Sequence, residues 1–232
     1  MVRIKSETLK EKYIMKIDTN TINVLKNFAK INPSILIQEG NTLKTISTSK
    51  TIMAKAKVST EFGNRFAIYN LDRFISTLSL FNDPELKFNE KFVDISDGGK
   101  KTHYTYADEN TITKAPEKEI NLPSIDVSFK LSHENLKDVE RAAGVLGLPE
   151  IVVFGDGTNI SLQATDSKNQ YGDLYSIVIG ETTKTFKAIF KSENIKIIPG
   201  DYEVNISSRG ISHFSGSDAE YWIAVEQSST FS

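Results

Sequence analysis

Seven bases stand out by their spacing. Lys26 and Lys30 lie four residues apart, as do Lys137 and Arg141, and Arg73, Lys191 and Lys196 occupy comparable places in two further stretches. Cationic groups one helical turn apart reach successive phosphates along a groove, a contact that is salt-dependent and blind to base sequence. That is binding chemistry, and the chain offers little for catalysis. His103, His133 and His213 are its only histidines, and no two fall at ligand spacing on a helix, so no metal is expected. Gly98-Gly99-Lys100 lacks the flanking residues of a phosphate-cradling loop and reads as a hairpin turn. Gly155-Asp156-Gly157 is likewise a turn, and no Gly-x-Ser-x-Gly nucleophile elbow occurs. Asp94 and Asp97 sit beside a turn with no third group to make them an acid–base pair. With no catalytic residue, metal or cofactor indicated, the chain reads as a non-enzyme.

The bases must be positioned by helices. In the helix expected from Asp18, Ile22, Leu25, Phe28 and Ala29 share one face, and Asn23, Lys26, Asn27 and Lys30 the other. Over residues 71–81, Leu71, Phe74, Ile75 and Leu78 oppose Arg73, Ser76 and Thr77. After the N-cap Ser132, Leu136, Val139, Ala143 and Leu146 oppose Glu134, Lys137, Asp138 and Arg141. Over residues 191–198, Ile195 and Ile198 oppose Lys191 and Lys196. For any one helix this is an ordinary solvated face. Four side by side would join their bases into a stripe able to track phosphates, diluted by Glu134 and Asp138.

The helices belong to a plan that repeats. Each half reads as a helix, several strands, a second helix and three more strands, with Ile35 and Ile151, Leu86 and Tyr202, and Tyr104 and Tyr221 at nearly constant offset. Gly40-Asn41, Gly98-Gly99 and Asp156-Gly157 are expected hairpin turns, and Pro84 and Pro199 end the second helices. The expected architecture is α+β: two similar domains of antiparallel sheet with two helices each, at residues 15–113 and 125–232. Residues 114–124, with two prolines and no periodicity, form the linker. Residues 1–14 are an extension with little apolar surface, expected to be disordered.

Composition sets the outer limits. The 232 residues are 39% hydrophobic and 25% charged, the balance of a soluble globular protein. No apolar run approaches the roughly 20 residues of a membrane span, no secretory signal is expected at the start, and cysteine is absent. A net charge of −2 argues against a protein that coats nucleic acid indiscriminately and leaves room for contact through one face. The first 14 residues carry +2, so the rest carries −4.

Three blocks resemble a known family. MKIDTNTINVLKNFAKIN (15–32), FAIYNLDRFISTLSLFNDPEL (66–86) and AEYWIAVEQSST (219–230) are similar, in order, to the sliding clamps of T-even-type bacteriophages. The resemblance implies a DNA-clamp fold in which three subunits of two domains close a ring around duplex DNA, helices inward, without sequence preference. It implies a processivity factor that tethers the replicative DNA polymerase, is loaded by an ATP-driven clamp loader, works in the cytoplasm of the infected bacterial host and also supports late transcription. The seven bases would then face the DNA. A polymerase C-terminal peptide would dock in an apolar pocket bordered by the linker and residues 227–232, Gln227 included, with Tyr221 and Ile223 near it or in the core beneath. Residues 103–113 and 174–180 would join the subunits. Two other readings stand beside this one: a non-ring DNA-binding accessory protein, and a duplicated-domain phage structural protein. A single-strand binder would need aromatics among bases, whereas Phe88, Phe92, Tyr104 and Tyr106 alternate as sheet residues do.

Overall fold

The computed structural model describes residues 14–169 and 171–232. The first half runs β1 (Ile14–Met15), α1 (Thr19–Ile31), β2 (Ile35–Ile37), β3 (Gly40–Ile46), β4 (Ile52–Phe62), β5 (Phe66–Ile68), α2 (Leu71–Leu78), β6 (Glu85–Phe88), β7 (Phe92–Asp97) and β8 (Lys100–Thr105), then a 3-10 turn at Glu109–Thr111. The second runs β9 (Val127–Leu131), α3 (His133–Leu146), β10 (Glu150–Asp156), β11 (Asn159–Thr165), β12 (Leu174–Glu181) and β13 (Thr185–Lys191). A 3-10 turn at Ser192–Asn194 follows, then β14 (Tyr202–Ser207), β15 (Ile211–Ser215), β16 (Glu220–Ala224) and β17 (Thr230–Phe231). The order of elements therefore repeats, and every strand pairing is antiparallel.

The sheets do not respect the midpoint of the chain. One has the order β1-β6-β7-β8, one β12-β11-β10-β13-β17, and β2 pairs with β5. The largest, β3-β4-β16-β15-β14-β9, takes strands from both halves. Its seam is β4 against β16, from Ile52 opposite Ile223 to Lys55 opposite Glu220. Period-2 burial along β4 and β14 puts alternate residues into the core. The α1 helix packs on β4 and β3 and touches α2, while α3 packs on β10, β11 and β12. One apolar cluster runs through both halves, from Phe28, Leu71 and Phe74 to Val139, Phe190 and Tyr221.

The α+β class with two similar antiparallel-sheet domains is as expected, with corrections. There are three α-helices among the described residues, not four. Residues 191–198 form the end of β13, one 3-10 turn and an extended run in which Ile195 and Ile197, two apart, are both buried. The β-branched run and Pro199, which restrains Ile198 to extended backbone, oppose a helix there. The second helix stops at Leu78, three residues short of Phe81. Gly40-Asn41 is no hairpin turn: β2 pairs with β5, and Gly40 (φ 102°) lies at a register shift where β3 meets Phe62. Gly98-Gly99 does turn β7 into β8, and Gly157 (φ 89°) turns β10 into β11. Leu146 is exposed. Ile14, at the end of the extension and open in the sequence to a strand edge, forms one: in β1 it pairs with Lys87 of β6. The rest of that extension, residues 1–13, lies outside the described residues.

Candidate nucleic-acid interface

The α1 helix begins where Asp18 accepts the Thr21 amide (2.9 Å), and no acid occupies its first turn. Its buried side chains are Thr21, Val24, Leu25, Asn27, Phe28 and Ile31, which leaves Asn23, Lys26 and Lys30 toward the surface. Asn70 caps α2 through the Arg73 amide, and Ser132 caps α3 through the Asn135 amide. Arg73, Lys137 and Arg141 are exposed on these two helices.

Asn27, expected on the solvated face, is buried and ties the halves together. Its amide donates to the Lys196 carbonyl (3.1 Å), and its Oδ1 accepts the Tyr221 hydroxyl (2.9 Å). The Tyr221 oxygen in turn accepts the Ile198 amide (3.0 Å), and the Tyr202 hydroxyl donates to the Ile198 carbonyl. Burial pushes both tyrosine hydroxyls above their ordinary range, so both stay protonated. These side chains satisfy backbone groups that a helix would have bonded internally. They hold residues 195–198 beside α1.

The result is a groove of about 540 Å³ lined by Lys26, Lys30, Lys196, Glu140 and Asp218, with Asn20 and Asn23 on its rim. The structure thus brings together three of the seven bases. Lys191, exposed at the end of β13 opposite Glu150, does not line this groove. Glu140 was missed by sequence reasoning; on the α3 polar face nothing sets it apart from Glu134 or Asp138 until its neighbours are known. The residue is exposed, yet loss of hydration at the groove wall pushes its carboxyl above the ordinary value, and Lys30 partly pulls it back. Among the described residues, every ion pair made by a lysine or arginine lies outside the three α-helices. They join Lys16 to Asp83 and Glu85, Lys44 to Glu119, Lys55 to Glu119 and Glu220, Arg65 to Glu109 and Glu117, Lys101 to Asp94 and Lys114 to Glu109. The helix bases are left for other anions.

Of the expected partner-binding residues, Tyr221 and Ile223 are fully buried because their positions on β16 face the core, the second of the two places expected for them, so neither offers a docking surface itself; Gln227 is exposed. The linker and the tail border different grooves. Lys44 donates to the Glu117 carbonyl (3.1 Å) and Lys55 to Glu119 (3.2 Å), straps that hold the linker over a groove of about 460 Å³ lined by Leu36 and Thr42. The tail pairs with β13, and Phe231 stacks on Phe186 at 6.4 Å. Among the described residues no group of three or more His, Cys, Asp or Glu is placed to hold a metal, and no helix is long and apolar enough to cross a membrane.

Two family models divide the chain. One, described as gp45 sliding clamp, C terminal, matches residues 128–227, and the other, DNA polymerase processivity factor, matches residues 16–114. The sliding clamp of Vibrio phage KVP40 is 40% identical over 220 residues, covering 91% of this chain and 99% of its own. That of Escherichia phage RB69 is 30% identical over 226 residues, covering 93% and 99%. The structure of A. fulgidus PCNA with the C-terminal region of FEN-1 bound superposes with a TM-score of 0.68 at 11% identity, over 94% of this chain and 98% of that one, a likeness of fold.

Proposed function

The chain belongs to the sliding clamps of T4-like phages, the DNA polymerase processivity factors, and from that premise we propose how it holds DNA and how its ring closes. Duplex DNA of any sequence passes along the helix layer, and Lys26, Lys30 and Lys196 meet its phosphates through the groove between α1 and residues 195–198. Arg73, Lys137 and Arg141 extend the contact along α2 and α3, while Lys191 stands apart. The observation that carries this reading is the gathering of three unpaired bases, from opposite ends of the sequence, beside a helix with no acid in its first turn.

The fold also suggests its own assembly. Within the chain, β16 closes the second half against β4 of the first. In the repeat, β8 stands where β16 does and β12 where β4 does, yet among the described residues each ends its sheet without an outer partner. The same junction formed between chains, β8 of one copy against β12 of the next, continues the sheets head to tail. Closed symmetry at three copies gives a homotrimeric ring and covers these edges. Retention on DNA is then topological. An ATP-driven loader opens the ring, the clamp acts in the cytoplasm of the infected host, and a late-transcription role uses the same ring. A polymerase C-terminal peptide docks at the linker groove, since Tyr221 and Ile223 lie beneath the surface. Residues 15–113 and 125–232 act as the two domains about the linker 114–124.

The test loads the protein on nicked circular DNA with its loader, then cuts the circle. Retention on the circle and release from the linear product are expected. Lys26→Glu with Lys30→Glu should weaken loading without altering sequence preference. The log–log salt slope should fall by about 0.9 for each phosphate that the variant no longer neutralises. Equal retention on circular and linear DNA would overturn the ring, and an unchanged salt slope the groove.

A further inference from the structure

The groove that gathers Lys26, Lys30 and Lys196 also contains an acid, and the acid is built into its wall. Glu140 comes from α3 and faces Lys30 across the groove; Asp218, from the loop before β16, lines the same space. Among the described residues no other charged side chain lines it. The groove therefore holds three positive and two negative groups where a pure phosphate seat would hold only positive ones.

We propose that Glu140 is a positioning residue that competes with DNA phosphate for Lys30 and so keeps the clamp's grip weak enough to slide. The proposal rests on the DNA reading of the groove. A ring needs little contact energy to stay on DNA, because dissociation is blocked by topology. Every phosphate contact that must break before the ring advances adds to the barrier for movement. A carboxylate near Lys30 gives the ammonium a partner when no phosphate is in reach, so its exchange between phosphates passes through a stabilised state. The carboxylate also lowers the local positive potential within a Debye length of about 8–10 Å. Partial loss of water around Glu140 makes this local field stronger than that of a fully solvated acid. The Asn27 amide on the Lys196 carbonyl anchors that residue's backbone beside α1, which keeps the third base at this groove.

The experiment follows single loaded rings on stretched duplex DNA of mixed sequence, comparing wild type, Glu140→Gln, Glu140→Asp and the Lys26→Glu, Lys30→Glu pair over a range of salt. Glu140→Gln keeps shape and removes charge. Its diffusion coefficient should fall about two- to five-fold, the scale of one exposed charge interaction, and its salt dependence should steepen. Glu140→Asp should restore wild-type movement. The proposal is overturned if Glu140→Gln diffuses as fast as wild type, or faster, while the lysine pair alters movement; the DNA reading would then survive alone. If neither change alters movement or its salt dependence, the DNA reading of this groove fails and the proposal with it.

Discussion

Asp18 shows how one side chain fixes the helix that carries the groove. Its carboxylate accepts the Thr21 amide (2.9 Å), the Thr21 hydroxyl (2.7 Å) and the Thr60 hydroxyl, while its own amide donates to Thr60 (3.2 Å). Burial pushes the carboxyl upward, but these hydrogen bonds outweigh it and bring the pKa to about 2 from an ordinary 3.8. The folded-state value is depressed, so the bonds stabilise the fold above about pH 4, and that stability is lost as pH falls through about 2. Asp18→Ala should therefore cost about 1 kcal/mol in urea unfolding at pH 7, the usual worth of an N-cap. The gap from wild type should close as pH drops from 4 towards 2; a constant gap would assign the cost to packing instead. The helix start at Asp18 and the lysines of that helix were legible, because all lie within one short periodic segment. Asn27 was not. An amide reads as solvated by type, and the partners that bury it, Lys196 and Tyr221, lie 169 and 194 positions away.

The β10–β13 strand pair makes a comparable point about elements. Gly155 and Gly157 look like one turn in the sequence but are glycines for different reasons. Gly157 supplies the positive φ of the turn, whereas Gly155 is a strand residue directly opposite Phe186. A Cβ at Gly155 would sit 2.4 Å from the Phe186 ring and 2.9 Å from the Lys184 carbonyl oxygen. The ring could yield only by leaving its stack with Phe231, and the backbone oxygen cannot yield cheaply. Gly155→Ala should lower unfolding stability by about 1–3 kcal/mol, the scale of an overpacked core, seen as a shift of the urea midpoint with an unchanged slope. Residues 191–198 misled in another way. Ile195 and Ile198 fit a helical stripe, but Ile195 and Ile197 are the buried pair, an extended spacing. A short run satisfies both templates; the β-branched residues and Pro199 tip it towards the extended one, and the tyrosine and asparagine side chains on its backbone hold it there.

At the scale of the whole molecule, a chain of net charge −2 can still present bases, because its ion pairs are unevenly placed. Among the described residues, lysines and arginines of strands and loops pair with acids, whereas those of the three α-helices make no ion pair, although Asp72, Glu134, Asp138 and Glu140 share those helices. The repeat of two halves was legible from the near-constant offsets, but the sheet that joins them was not, since β4 and β16 are separated by most of the sequence. That seam carries the last prediction. If β12 copies it between chains, its exposed side chains lie at a subunit boundary. Leu174 and Val178 are 59% and 66% exposed in the single chain, two large apolar residues on one edge strand. Covering each would stabilise the contact by roughly 1.5–3 kcal/mol, and every subunit joint contains the pair once. Edge strands left open in this way are a liability unless a partner covers them. Leu174→Glu with Val178→Glu should therefore leave the monomer folded, because these side chains point away from the core, and should raise the dissociation constant of each joint by at least about 100-fold. Sedimentation at micromolar concentration should show the trimer mass for wild type and the monomer mass for the double variant, with the same far-ultraviolet circular dichroism. A variant that still sediments as a trimer would move the joint away from β12, and the β4–β16 seam would then be a feature of the single chain without a counterpart between chains.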